Sequence, residues 1–142
     1  RYNCTIIDLH DRSVIANITD RNITSDLAIR TLRKALESQP TIKEGLILHS
    51  DQGSQYTSKA FTEFCESVNV TQSMSKAGYP YDNAPMERYF NTLKNECTNL
   101  YEFTTEETLY QKVEEFAYVD YNHVRPHSYN GYRTPYEART AA

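Results

Sequence analysis

Two runs of β-branched residues open the chain, Thr5 to Ile7 and Val14 to Ile18, with the polar stretch "DLHDRS" between them. That pattern predicts two antiparallel strands joined by a short turn. The period then lengthens. In "TSDLAIRTLRKALESQP", Leu27, Ala28, Thr31, Leu32, Ala35 and Leu36 fall on one side of a helix, with Thr24 or Ser25 as its N-cap and an end near Pro40. The continuous apolar run "GLILH" predicts a strand covered on both faces, with Asp51 just beyond its C-terminal end. Phe61, Phe64, Cys65 and Val68 repeat at i, i+3, i+4, i+7, a second helix capped by Thr57 or Ser58, and "NVTQSM" comes next as a short strand. Residues 75 to 83 turn to Gly, Pro, Tyr and Asp and read as a loop. A third helix is expected from Asp82 or Asn83, with Pro85 in its first turn, where a missing N–H costs least, and a stripe of Met86, Phe90, Leu93 and Cys97. At "TTEE", Thr104 and Glu107 suggest a capping box for a fourth helix burying Leu109, Val113 and Phe116. The C-terminal segment is rich in Tyr, Pro and Arg, and is expected to be irregular and flexible after about residue 122.

The order strand, strand, helix, strand, helix, strand, helix, helix means an α/β fold with a mixed sheet. A single core over residues 1–122 with a tail over 123–142 accounts for the 142 residues. No apolar run approaches the roughly 20 residues needed to span a bilayer, and nothing near the N-terminus resembles a signal peptide, so a cytoplasmic protein with no membrane partner is expected. Cys4, Cys65 and Cys97 lack metal-type spacing and read as small buried apolar groups. A net charge of -4 argues against a general nucleic-acid sponge, whose affinity would come from Lys and Arg, so any DNA contact must be local. The 12 tyrosines serve cores and interfaces more often than base stacking.

Chemistry concentrates in two places. At 100° per residue, Glu87, Asn91 and Lys94 share one face of the third helix, with Glu87 at the border of the core. A helix-borne Glu87 and a strand-end Asp51 can converge on a divalent ion, because Mg²⁺ prefers hard oxygen ligands and commonly takes one or two carboxylates with water and phosphate. His49, His123 and His127 have no Cys or Asp at ligand spacing and read as structural or exposed. Arg125 and Arg133 are phosphate contacts or surface charges.

The segments "LHSDQGSQYTS" and "YPYDNAPMERYFNTLKNE" resemble the second and third acidic blocks of the integrase-core (DDE) transposases of bacterial insertion sequences, relatives of retroviral integrases. Between Asp51 and Glu87 lie 35 residues, the spacing typical of that family's core, and "YNHVRPHSYNGYRTPYEA" resembles its C-terminal signature. The resemblance implies an RNase H-like fold, two Mg²⁺ or Mn²⁺ ions in the intact site, and DNA transposition by phosphodiester cleavage and strand transfer. Two such ions activate an attacking oxygen and stabilise the leaving one. Asp51 and Glu87 would then be catalytic metal ligands. Lys94, Asn91, Gln55, Tyr56, Lys59, Tyr81, Asn83 and Arg125 would face DNA, with Gln52, Gly53, Tyr79 and Asp82 nearby. Transposon ends and target DNA are the implied partners, in a homo-oligomer associated with the bacterial nucleoid.

The resemblance also implies a third acidic residue on a strand preceding the opening hairpin. Asp8 lies near the hairpin turn and does not take that role. An RNase H-like sheet read from this chain therefore lacks its first, central strand, leaving two edges to close on each other or to meet a second copy. The fragment alone is expected to be inactive. An RNase H-like nuclease and a catalytically silent, DNA-binding or oligomerising remnant are the competing readings.

Overall fold

In a computed structural model of the chain, describing residues 1–39, 45–76, 84–100 and 102–141, the opening hairpin forms as its alternation predicts. Strand β1 (Tyr2–Ile7) pairs antiparallel with β2 (Val14–Asp20), from Tyr2 opposite Asp20 to Ile7 opposite Val14. A bulge between Ile6 and Ile7 shifts the register, and the turn is closed by Asp8 N–H donating to Ser13 O and Arg12 N–H donating to Asp8 O. Neighbouring residues on a strand point to opposite faces, and β1 shows it: Ile6 packs into one core cluster and Ile7 into another.

The first cluster gathers Ala28, Leu32, Phe61, Cys65 and Val70. Its helices are α1 (Ser25–Ser38), with Thr24 accepting from the Leu27 N–H as N-cap, and α3 (Lys59–Ser67), capped in the same way by Ser58 onto Phe61. Each such cap stabilises by about 1 kcal/mol. Five of the six residues expected on the inner side of α1 are buried, and Leu36 is half-buried. Pro40 lies outside the described residues.

The second cluster holds Val14, Tyr89, Leu93, Cys97, Val113, Phe116, Ala117 and Tyr121. It is built by α4 (Ala84–Leu93), a π-helical continuation over Lys94–Thr98, α5 (Glu106–Glu115) and a second π-helical stretch over Phe116–Val124. The expected start of the third helix at Asp82 or Asn83 lies outside the described residues. Tyr89 is fully buried at the centre of the cluster, a position the stripe of Met86, Phe90, Leu93 and Cys97 does not include. Its ring meets Tyr121 edge-on at 5.0 Å, and its hydroxyl is the one buried side-chain oxygen without a hydrogen bond among the described residues. All three cysteines are buried and free, as expected.

Four expectations are corrected. The cap of α5 is Thr105, whose side chain accepts from Thr108 N–H, and Glu106 is drawn instead into ion pairs with Arg1 and Arg21. Strand β3 (Ile47–Ser50) is not covered on both faces: Ile47 is 65% exposed and Leu46 40%. The turn after Asp51 contains one helical turn of its own, α2 (Ser54–Thr57). The stretch after residue 122 is not irregular. A 3₁₀ turn over Ser128–Asn130 and helix α6 (Pro135–Thr140) fold it back on the hairpin turn, where Asn130 Nδ2 donates to Asp11 O at 2.7 Å and Arg139 Nη1 reaches Asp11 at 2.7 Å and Asp8 at 3.1 Å.

Strand β3 pairs in parallel with β4 (Thr71–Met74), Ile47 opposite Thr71 and Ser50 opposite Met74. Among the described residues β1 bonds only to β2 and β3 only to β4, so two separate two-stranded sheets each keep a free edge. The two edges do not close on each other. The break falls between β1 and β3, where the resemblance puts the central strand.

Candidate active site

Asp51 comes directly after β3, and the end of that strand is tied down from several sides. His49 sits between two hydroxyls of β4 and its continuation, Nδ1 at 2.9 Å from Ser73 Oγ and Nε2 at 2.9 Å from Ser75 Oγ. Ser75 N–H donates to Ser50 O at 2.9 Å, and Gln52 Nε2 donates to Ser75 O at 3.1 Å. The Asp51 carboxylate is fixed by its own turn, Oδ1 accepting from Gly53 N–H at 2.7 Å. Aspartate readily folds back on the backbone two residues on in this way. Its second oxygen makes no hydrogen bond among the described residues, and the residue is exposed.

Glu87 stands in the first turn of α4 and is exposed rather than at the core border. Asn91 and Lys94 are exposed with it, as one shared helix face requires. Lys94 opens the π-helical stretch and makes no ion pair among the described residues. Tyr81 and Asn83, and with them Tyr79 and Asp82, lie outside the described residues.

Tyr56 is half-buried. It packs edge-on against Phe61 at 5.5 Å, its hydroxyl contacts Cys4 Sγ at 3.6 Å, and burial first, then the neighbouring Cys4 and Asp51, push its phenol far above the ordinary range. Its place on the apolar side of α3 has no signal in the sequence, because α2 and α3 are separated by the extended backbone of Ser58 and share no helical register. Gln55 is half-buried beside it. Lys59 is exposed and pairs with Glu63 one helical turn on, at 3.7 Å.

Arg125 is half-buried and held by Glu96 at 3.0 Å. His127 is buried against Tyr121, rings 4.5 Å apart, and His123 is exposed and stacks on Tyr136 at 4.3 Å. Asp8 is engaged by Arg139 and by the His10 N–H. Arg133 donates to Asn130 O at 3.2 Å.

A hard divalent ion would find carboxylate oxygens at Asp51 and Glu87, the ligand type Mg²⁺ prefers. Among the described residues no group of three acidic, His or Cys side chains comes together. The two carboxylates suit such an ion by the chemistry of their oxygens.

The sequence model of the integrase core domain matches residues 1–80, and a second model of the same description matches residues 68–135. The chain belongs to the integrase core domain family. Over 134 residues, 94% of the chain, it is 34% identical to the transposase InsF for insertion sequence IS3A of Escherichia coli K12 and covers 46% of that protein. It is 43% identical over 91 residues, 64% of the chain, to the transposase for insertion sequence element IS904 of Lactococcus lactis, covering 36% of it. The 31 kDa protein of insertion element IS600 of Shigella sonnei is 35% identical over 94% of the chain, which spans 49% of it. The chain thus spans about half, or less, of the curated relatives it matches.

Solved retroviral integrases share its fold. The simian T-cell lymphotropic virus intasome bound to a PP2A regulatory subunit superposes with a TM-score of 0.78 at 17% identity, over 99% of this chain and 48% of that one. The catalytic core of bovine immunodeficiency virus integrase gives 0.61 at 17%, over 95% and 82%. The HTLV-2 core, solved in complex with magnesium in a trimeric form, gives 0.60 at 18%, over 93% and 80%. The RNase H-like, mixed α/β reading holds. No helix of the described residues is long and apolar enough to cross a membrane.

Proposed function

We propose that this chain is catalytic-core sequence of a DDE transposase, whose whole protein cuts and joins DNA by metal-assisted attack on phosphodiesters. The observation that carries the reading is the pair Asp51 and Glu87. In an integrase-core chain, one carboxylate stands at a strand end with an unpaired oxygen and the other stands exposed on the first turn of α4. Mg²⁺ or Mn²⁺ bound there, two ions in the intact site, would supply an activated oxygen nucleophile and charge stabilisation at the leaving oxygen.

The residues of the chain then have separate tasks. Asp51 presents one oxygen outward because the Gly53 N–H holds the other. His49, through Ser73 and Ser75, keeps the ends of β3 and β4 together beneath it. Glu87 offers its carboxylate from a helix, and Lys94 and Asn91, on the same face, meet DNA phosphates. Gln55, Lys59, Tyr81, Asn83 and Arg125 complete the proposed DNA surface, while Tyr56 supports the loop from inside. A homo-oligomer brings the DNA ends together.

The test uses the longer parent protein. Asp51→Asn and Glu87→Gln are expected to lower strand transfer by more than about a hundredfold while DNA binding persists, since a carboxamide keeps the shape and loses the charge that holds the metal. Strand transfer by Asp51→Asn at the parental rate would remove Asp51 from the mechanism. For the 142-residue chain alone, weak Mn²⁺ binding and no metal-dependent nicking are expected.

A further inference from the structure

In a chain of net charge -4, three arginines from distant parts of the sequence face one small pocket. Arg12 comes from the hairpin turn, Arg88 from α4 next to Glu87, and Arg125 from the end of the second π-helical stretch. Tyr121 and Ser128 supply hydroxyl-bearing side chains to the same wall. The pocket holds about 70 Å³, far below the roughly 300–1,000 Å³ of small-molecule sites, so it admits a group rather than a molecule.

The three guanidiniums are prepared for an anion. Arg12 lies 4.0 Å above the Tyr129 ring, a stacking that fixes the guanidinium plane and leaves its edge donors open. Arg88 is exposed and has no carboxylate partner among the described residues. Arg125 gives its Nε to Glu96 and keeps both terminal nitrogens without a partner among the described residues. All three act together on the Tyr121 phenol: burial pushes it up, and Arg125, Arg12 and Arg88 each pull the other way. Glu96, the carboxylate paired with Arg125, acts against them. Arginine forks match the oxygens of a phosphate, and three of them converge here with one carboxylate, Glu96, engaged at Arg125 Nε.

We propose that Arg12, Arg88 and Arg125 together form a seat for a single DNA phosphodiester group, beside the Glu87 end of α4. This deepens the proposed function and rests on it for the identity of the ligand. The tail that folds back on the hairpin turn thereby completes a binding site: Arg125 and Tyr129 come from it, and Arg12 from the turn it covers. A phosphate held here fixes one strand of DNA relative to Glu87, since Arg88 is the next residue on the helix.

The experiment measures binding of this chain to a short DNA duplex across a salt series. Each neutralised phosphate contributes about 0.9 to the slope of log K against log salt. Arg12→Gln, Arg88→Gln and the double variant are each expected to lower that slope by about 1, because both arginines serve the same phosphate. Arg88→Lys restores part of the affinity, and Arg21→Gln, remote and paired with Glu106, leaves the slope as it was. Arg88→Gln is exposed, so an unchanged thermal melt separates its effect from misfolding. A double variant that loses about 2 would mean two independent contacts and overturn the shared seat, as would unchanged slopes in all variants; in both cases DNA binding, and the proposed function, stand. Should the chain bind inorganic phosphate, followed through the arginine Nε–H resonances, but no DNA at low salt, the DNA assignment falls together with that function. Preference for an acidic peptide over DNA would overturn it too.

Discussion

The Gly53 N–H donates to Asp51 Oδ1 at 2.7 Å, so the residue that shapes the turn also aims the carboxylate. A Cβ at position 53 would stand 2.9 Å from Asp51 Oδ1 and 2.7 Å from Gln55 Oε1. Both atoms end flexible side chains, so the fold would accept the change at little cost and the carboxylate would move. Gly53→Ala is expected to weaken Mn²⁺ binding by about tenfold, the scale on which supporting contacts tune a metal site, with an unfolding midpoint within a few degrees of the parent. Calorimetric titration with Mn²⁺ checks it, and an unaltered affinity would detach the turn from the site.

Arg139 is the pin of the tail. Its Nη1 meets Asp11, which is 1% exposed, and its Nη2 reaches Gln39 at 2.7 Å. Removing the arginine leaves a buried carboxylate without its charge partner. Arg139→Leu is expected to destabilise the chain by about 2–3 kcal/mol, below the roughly 3–5 kcal/mol of a fully buried pair because Arg139 itself is partly exposed. Urea unfolding measures it. Asp11→Asn with Arg139→Leu should recover part of the loss, as the uncompensated charge is then gone.

His127 makes stability depend on pH. Burial, chiefly, holds its imidazole below the ordinary value near 6.5, so the folded chain keeps it neutral while the unfolded chain takes a proton first. The contribution is fully present above pH 6.5 and is lost as pH falls through that value toward the lower folded one. The slope is at most about 1.4 kcal/mol per pH unit. Thermal melts between pH 7.5 and about 5, above most carboxylate titration, should show a falling midpoint that His127→Gln flattens. A parallel decline in the variant would assign the effect elsewhere.

Ile47 sits 65% exposed on β3, a strand with one edge unpaired among the described residues. Open edges bearing apolar side chains invite pairing between chains, and a charge there suppresses it. The 142-residue chain is expected to self-associate with rising concentration in sedimentation velocity runs. Ile47→Lys should shift it toward monomer without lowering its melting temperature.

Much of this architecture is legible in particular residues. The alternation at Thr5–Ile7 and Val14–Ile18, the Leu27–Ala35 face and the Phe61–Cys65 pair each declare their element because local period and final burial agree. Asp51 and Glu87 are singled out by residue type together with the resemblance, and their metal role belongs to the proposed function. The tail is not, although Thr134 and Glu137 form a capping box, each side chain bonding the other's backbone, and "TPYE" carries that signature in plain view. The many Tyr, Pro and Arg residues around it mask the signal. Tyr89 escapes for a different reason: its neighbours Met86 and Phe90 are more apolar, and only tertiary packing against Tyr121 and Phe116 decides which ring goes to the centre. Arg12 has no signal at all, because nothing local links a hairpin turn to Arg125.

The bond between Arg139 and Asp11 joins residues 128 positions apart. At roughly 5–20 residues per second, a ribosome delivers the arginine about 6 to 26 seconds after the aspartate. During that interval the hairpin turn carries a carboxylate whose cation has not yet been made, and the pocket wall lacks the segment bearing Arg125 and Tyr129. Synthesis of the last turn of α6 is therefore the step that commits the hairpin turn, so loss of Arg139 would act first on the hairpin of β1 and β2.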